Sequence, residues 1–223
     1  MWPPYEGRTC LPIAADEILC TLGGYPSYVV NVSTVAQIQL AVNFARENGL
    51  RLVVKNTGHD YRGKSVGAGA FDGGWVQGEE LYRKAKEVGF TPVSVRGEGQ
   101  TVGVAGVYLL GGGHSLLSSK YRLSIYQVLA LQVVLANGTF MTVTEETDPD
   151  VFWALRGAGG STFGIVTSVI SAVYPQTGVT VSTSSFSTGP NVTADAFWDG
   201  FRTYLDHFPA HAEFGNQFTV NQR

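Results

Sequence analysis

The sequence is short of cysteine, of charge and of long apolar runs, and each shortage excludes something. Cysteine occurs twice in 223 residues, as Cys10 and Cys20. Two thiols cannot build a four-cysteine zinc site, and no histidine pair lies near them to complete a mixed one. A disulfide across this short loop and a pair of free thiols stay open as alternatives. Charged residues make up 15% of the chain and the net charge is −3, which offers no general field for nucleic acid or an anionic membrane. No apolar run approaches the ~20 residues of a membrane span. The opening stretch Met1-Trp2-Pro3-Pro4-Tyr5-Glu6-Gly7-Arg8 has no basic segment followed by an apolar one, so no secretory signal is read in it. The Asn-x-Ser/Thr triplets at Asn31, Asn137 and Asn191 favour secretion only weakly, and localisation is left open.

What the chain does have is apolar mass and glycine. Apolar residues reach 44%, enough for a sizeable core, and at ~150 residues per domain the length fits one large domain or two small ones. Glycine stands at 28 residues and clusters in a few loops, as backbone does that must approach something closely. The walk along the chain reads as α+β. Tyr28 to Val32 is a β-branched strand. Ser33 or Thr34 caps a helix, with Gln37 in capping-box position and Val35, Ile38, Val42 and Ala45 on one face. Asn48-Gly49 closes that helix and Leu50 to Lys55 is a second strand, giving a β-α-β unit with a parallel pair. A helix over 79–87 and a strand over 91–95 follow. Asn137-Gly138 marks a hairpin between apolar strands, and Asp148-Pro149 opens a helix with Asp148 as N-cap. A strand over 165–174 ends at a Ser/Thr/Gly-rich boundary, and one aromatic helix over 194–207 lies in the tail.

Three glycine loops, 56–65, 97–113 and 157–164, each adjoin an apolar strand. The first carries two decoys. Gly58 to Ser65 fits the phosphate-loop pattern G-x-x-x-x-G-K-[ST], and Gly63-Lys64-Ser65-Val66-Gly67 fits the nucleophile-elbow pattern. Both need a helix that starts at Ser65, but four glycines occur in the next nine residues, at ~1 kcal/mol of lost helix propensity each. A nucleotide-binding phosphate loop is therefore the weaker reading, and no G-x-G-x-x-G dinucleotide fingerprint occurs. Of the four histidines, only His207 and His211 are spaced as metal ligands, and Pro209 between them argues against a helix there. On spacing alone, tight turns and a cradle for a diphosphate or flat ring stand level.

The residues carry a resemblance. Tyr25-Pro-Ser-Tyr-Val-Val-Asn-Val, Leu52-Val-Val-Lys-Asn-Thr-Gly-His-Asp-Tyr, Gly111-Gly-Gly-His-Ser, Val134-Leu-Ala-Asn-Gly-Thr and Asp150-Val-Phe-Trp-Ala-Leu-Arg-Gly-Ala-Gly-Gly-Ser-Thr-Phe-Gly-Ile-Val-Thr occur in order across 25–174. They resemble the FAD-binding domain of the vanillyl-alcohol oxidase/p-cresol methylhydroxylase (PCMH-type) superfamily, in particular its fungal berberine bridge enzyme-like branch. The resemblance implies an N-terminal segment over 1–24, a flavin domain over 25–174 and the start of a substrate domain over 175–223. It implies FAD wrapped by Asn56, Thr57, Gly58, His59, Asp60, Tyr61, Gly63, Lys64 and Ser65, with His59 bonded covalently to the flavin 8α carbon. A neutral imidazole is a competent nucleophile for that near pH 7. It further implies that Thr101, Val102, Gly103, Gly106, Gly111, Gly112, Gly113, His114 and Ser115 line the isoalloxazine, with His114 inclining instead to a satisfied core position. Gly159, Gly160, Gly164 and Ile165 would supply backbone contacts, the last two nearest the cofactor.

Four departures from that family stand out. Gly99, in Gly97-Glu-Gly-Gln-Thr-Val-Gly, occupies the position of the cysteine that makes a second flavin link in relatives, so no cysteinyl link is expected. A strand-length piece is missing near 70–75. Arg122 and Tyr126 replace the usual Gly and Asp, a costly exchange at 122 if the backbone there needs positive φ. The chain ends soon after Tyr174, as a shortened member would. The resulting expectation is an FAD-dependent oxidoreductase. It would oxidise a small alcohol, sugar or secondary-metabolite intermediate by hydride transfer to flavin, with O2 as acceptor. It is expected to be a monomer with no metal, nucleic acid or membrane partner, and its catalytic base is unassigned. The alternative is a non-catalytic remnant of the flavin domain.

Overall fold

The computed structural model describes residues 23–59, 65, 70–73, 76–93, 99–160, 162–178, 180 and 185–213. Cys10, Cys20, Asp60, Tyr61, Gly63, Lys64 and Ser161 lie outside them.

The N-terminal half of the fold is a parallel layer against one helix. Strands β1 (Val30–Val32) and β2 (Val53–Lys55) flank helix α1 (Val35–Glu47) in the chain. Thr34 caps α1: the amide of Gln37 donates to its hydroxyl at 3.3 Å, and the Gln37 side chain accepts from the Thr34 amide at 3.2 Å. Gly49, at φ 61°, takes the left-handed position after the C-cap. Ile38, Val42 and Ala45 are its buried face.

The two strands do not pair with each other, as the β-α-β reading expects. Strand β3 (Ala70–Gly73) lies between them, parallel to both, with Val30 and Val54 each opposite Phe71. The shortening expected near 70–75 does not leave the two strands unpaired, because β3 takes up the ladder groups of both neighbours. It also bears on the phosphate-loop reading. A strand beginning at Ala70 leaves no room for the long helix that must start at Ser65.

Helix α2 (Gly78–Glu87) leads to β4 (Phe90–Pro92), which pairs antiparallel with β8 (Val173–Pro175). The second half centres on β5 (Val128–Val134), between β6 (Phe140–Thr144) and β7 (Ile165–Ser171) in an antiparallel sheet. β5 is nearly continuous in buried residues because both its faces are covered. Leu131 and Val133 pack with Leu109, Leu110, Val143, Phe152 and Leu155. Val134 packs on the other side with Val32, Ile38, Val42 and Ile165, which joins this sheet to α1 and the parallel layer. The architecture is α+β, as the sequence indicates.

Local differences have local causes. The hairpin at Asn137-Gly138 closes with Gly138 alone in the left-handed region (φ 83°), and the amide of Gly138 donates to Leu135 at 2.9 Å. Asp148 precedes α4 (Pro149–Leu155) with left-handed backbone (φ 53°), and its carboxylate makes no cap bond. The strand expected over 165–174 breaks at Ala172, whose amide turns to the carbonyl of Gln127 at 2.8 Å. In the tail, α5 (Ala194–Asp206) is followed by α6 (Phe208–Glu213), so Pro209 does not bar a helix. It stands in the first turn, where a missing amide proton costs nothing. Among the described residues no helix is long and apolar enough to cross a membrane, and no group of three His, Cys, Asp or Glu is arranged to hold a metal.

Candidate cofactor site

The first two glycine loops interlock. The chain leaving β2 places the side chain of Asn56 against the backbone of both Gly103 and Gly106, where a Cβ on either glycine would collide with it. The amide of Gly103 donates to the Thr57 hydroxyl at 3.3 Å. Beyond Gly58 (φ 80°), the exposed ring of His59 brings Nε2 within 2.9 Å of the Thr101 hydroxyl. Gly99 is beside it: a Cβ built at 99 would stand 3.6 Å from His59 Cε1. The two positions that the resemblance makes flavin anchors are thus neighbours, and one of them is empty of sulfur. α2 fixes this stretch from behind, with the amides of Gly78 and Glu79 donating to Val102 and Gln100 at 3.0 and 3.1 Å.

The loop then winds through a π-helical turn, Val104–Tyr108, an element common at functional sites. Its far end, Gly111 to Ser115, is held by the 3-10 turn Ser124–Gln127. Ser124 and Ile125 donate to the carbonyls of Gly113 and Gly112 at 2.7 and 3.0 Å. The third loop joins here, with the amide of Gly159 donating to Leu110 at 2.9 Å. All three loops are therefore linked in one connected stretch.

The expected site residues fall into two groups. Asn56, Thr57, Gly58, His59, Thr101, Val102, Gly103 and Gly106 come together at the first junction. Gly111, Gly112, Gly113, His114, Ser115, Gly159 and Gly160 surround the second. His114 is exposed, not a core histidine; its ring is 6.2 Å from that of Tyr108. Gly113 has a packing reason of its own, since a Cβ there would meet Ser124 and Tyr108 at 2.8 Å. Gly164 likewise lets the chain press on β5, where a Cβ would stand 3.0 Å from the Val134 carbonyl oxygen. The side chain of Ile165 is in the core beside Val134. Ser65 is buried.

Sequence reasoning missed Gln127 and Tyr108. Gln127 is buried and ties the second junction together: its amide nitrogen donates to the Tyr121 carbonyl at 2.5 Å, and its oxygen accepts from the Tyr174 hydroxyl at 2.6 Å. A lone amide at the head of an apolar strand was the available signal. Burial pushes the Tyr108 phenol above its ordinary value, with the Ser124 hydroxyl pulling against that.

The residues fit a flavin cofactor. Both amide atoms of Asn56 are buried without a protein partner, an arrangement that ordinarily costs about 1–3 kcal/mol per group. They lie between two glycines, close to an exposed imidazole and a hydroxyl. Bare backbone, an amide and an imidazole in one place suit a ligand with a diphosphate and a flat polar ring.

No protein-family model matches the chain. Known proteins do. The chain is 40% identical to the FAD-linked oxidoreductase ZEB1 of Gibberella zeae, over 92% of this chain and 40% of that protein. It is 32% identical to the FAD-linked oxidoreductase sthB of Phaeosphaeria nodorum, over 96% of this chain and 76% of that protein. The crystal structure of the VAO-type flavoprotein MtVAO615 from Myceliophthora thermophila superposes with a TM-score of 0.79 at 30% identity, over 95% of this chain and 43% of that one. The chain spans about two-fifths of the length of several curated relatives that it matches. The interlocked glycine loops, the orphaned amide and these likenesses agree, and the chain belongs to the FAD-linked oxidoreductases of the VAO type.

Proposed function

We propose that residues 25–174 are the FAD-binding unit of an oxidase for a small organic substrate, with 175–223 opening the substrate domain. Bound FAD supplies a two-electron acceptor that takes hydride from a substrate carbon and passes the electrons to O2, giving H2O2. The chain's own contribution is placement. Gly103 and Gly106 leave room for the Asn56 side chain, which holds the first two loops together beside His59, and its amide atoms have no protein partner. We assign the diphosphate to Asp60, Tyr61, Gly63, Lys64 and Ser65 by the resemblance, and the far side of the cofactor to Gly159 and Gly160. His59 is the tether. With Nε2 engaged by Thr101, Nδ1 would be free to bond the 8α carbon; the 8α C–H proton would leave, and its electron pair would reduce the flavin, which O2 would reoxidise. Gly99 leaves that bond as a single link. Substrates are alcohols, sugars or secondary-metabolite intermediates.

The contact of His59 with Thr101, beside Gly99 and Asn56, carries this reading. Protein supplied with FAD should be yellow after acid precipitation, the colour should be lost in His59→Ala, and the tryptic peptide containing residue 59 should gain the mass of the flavin. Folded protein that takes up no FAD overturns the reading. Flavin that is retained but always washes out in acid removes the tether alone. A second reading, a flavin-binding piece without turnover, draws on α5 and α6, which contribute no buried residue. Bound flavin that no alcohol or sugar reduces would favour it.

A further inference from the structure

We propose that Arg122 and Tyr126 form a binding site for the carboxylate of a small aromatic acid at the rim of the second glycine loop; its place beside the flavin rests on the reading just given. The first observation is backbone strain. Arg122 has φ 70° and ψ −169°, a region that is essentially confined to glycine. It is held there from every side. Its amide donates to Ser118 at 2.8 Å. The carbonyls flanking it, on Tyr121 and Leu123, accept from the buried Gln127 amide at 2.5 and 3.5 Å. The next two amides, of Ser124 and Ile125, are bound by Gly113 and Gly112. A backbone so constrained fixes the direction in which the Arg122 side chain leaves the chain.

The second observation is what that side chain does. Its guanidinium lies 5.9 Å from the centroid of the exposed Tyr126 ring. A guanidinium held over a ring at this distance keeps its N–H fork available for two parallel bonds to a carboxylate. Among the described residues, neither Arg122 nor its neighbour Lys120 has a carboxylate partner; the ion pairs there lie on α2 and α5. Lys120 instead sits over Tyr121, 5.1 Å from its centroid. Tyr126 and Leu123, which share one turn, are both exposed, so apolar surface adjoins the charge. Inorganic phosphate would use the charge and leave that surface bare, whereas an aromatic carboxylate uses both. A Cβ built on Gly112 would stand 3.7 Å from Leu123 Cδ1, and the Ile125 amide donates to the Gly112 carbonyl at 3.0 Å, so the site borders the loop expected to line the flavin ring.

Benzoate is the probe, titrated into the whole chain supplied with FAD and followed by calorimetry and flavin absorption. Saturable binding is expected, together with a shift of the flavin bands and at least tenfold weaker binding of neutral benzyl alcohol and of inorganic phosphate. Arg122→Gly removes the guanidinium and relieves the backbone. It should lower benzoate affinity at least tenfold while raising Tm, a combination that loss of folding cannot produce. Equal benzoate affinity in Arg122→Gly, no saturable binding, or preference for phosphate each overturns the site. Arg122-dependent benzoate binding in protein that takes up no FAD upholds the site and overturns the flavin reading instead. The same binding with FAD bound but its spectrum unmoved overturns the placement at the ring.

Discussion

Gly113 and Arg122 belong to one hydrogen-bonded corner and share nearly one backbone angle, φ 69° and φ 70°, yet only the first is a glycine. At Gly113 two demands coincide. The angle is left-handed, and the space where a Cβ would go is filled by Ser124 and Tyr108, each 2.8 Å away. At Arg122 the angle alone is demanding, because its side chain is exposed. Angle without crowding can be met by an ordinary residue at a cost; angle with crowding cannot.

The largest expected effect therefore comes from Gly113→Ala. A left-handed alanine costs ~1–2 kcal/mol and overpacking a further ~1–3, so a loss of about 3 kcal/mol is expected in chemical denaturation. A loss below ~1 kcal/mol would show that the Tyr108–Ser124 wall yields. Gly103 separates the two demands, since its φ of −68° suits any residue and only crowding by Asn56 remains. Gly103→Ala should cost about 2 kcal/mol. In an Asn56→Ala background most of that cost should vanish, and a double-mutant cycle measures the coupling. Additive losses would mean that Asn56 is not what fills the space.

Arg122→Gly isolates the angle and reverses the sign. Relief of strain contributes ~1–3 kcal/mol, offset by ~0.5–1 for the added freedom of the unfolded chain and by a weak cation–π contact, so a gain of about 1 kcal/mol is expected. Thermal melting of the two proteins checks it, and a lowered Tm would mean that the Arg122–Tyr126 contact outweighs the strain.

Much of this was legible in the residues and some was not. The Thr34–Gln37 capping box, the Gly49 terminator and the hairpin at Asn137-Gly138 are local signals, and they form where the sequence puts them. The suspicion that position 122 needs positive φ came from a Gly-to-Arg exchange in an otherwise matching block, and the backbone has that angle. What stayed hidden was long-range. Nothing in Ala70-Phe71-Asp72-Gly73 marks it as a strand, because its pairing comes from β1 and β2, distant in sequence. The packing of Asn56 against Gly103 and Gly106 joins residues about fifty apart. The exposure of His114 is not legible either, because a histidine after three glycines gives no clue to which side of the loop is solvent.

Tyr108→Phe carries the smallest expected effect and tests the wall behind Gly113. The Tyr108 and Ser124 hydroxyls face each other, yet neither has a partner in hydrogen-bond geometry. Deleting one of two unpaired groups while keeping the ring should change stability at pH 7 by less than about 1 kcal/mol. The difference should emerge in alkali. The unfolded chain ionises this phenol near its ordinary value of 10.0, whereas burial holds the folded form protonated to higher pH. The folded state then binds the proton that the unfolded state releases. This contribution is complete below pH 10 and declines as pH rises towards the folded value. Phenylalanine has no such proton, so parent and variant should melt together at neutral pH and diverge above pH 10, with the parent losing more. Superimposable alkaline profiles would mean that the phenol ionises as freely in the fold as outside it, and that the space beside Gly113 is wetter than its crowding implies.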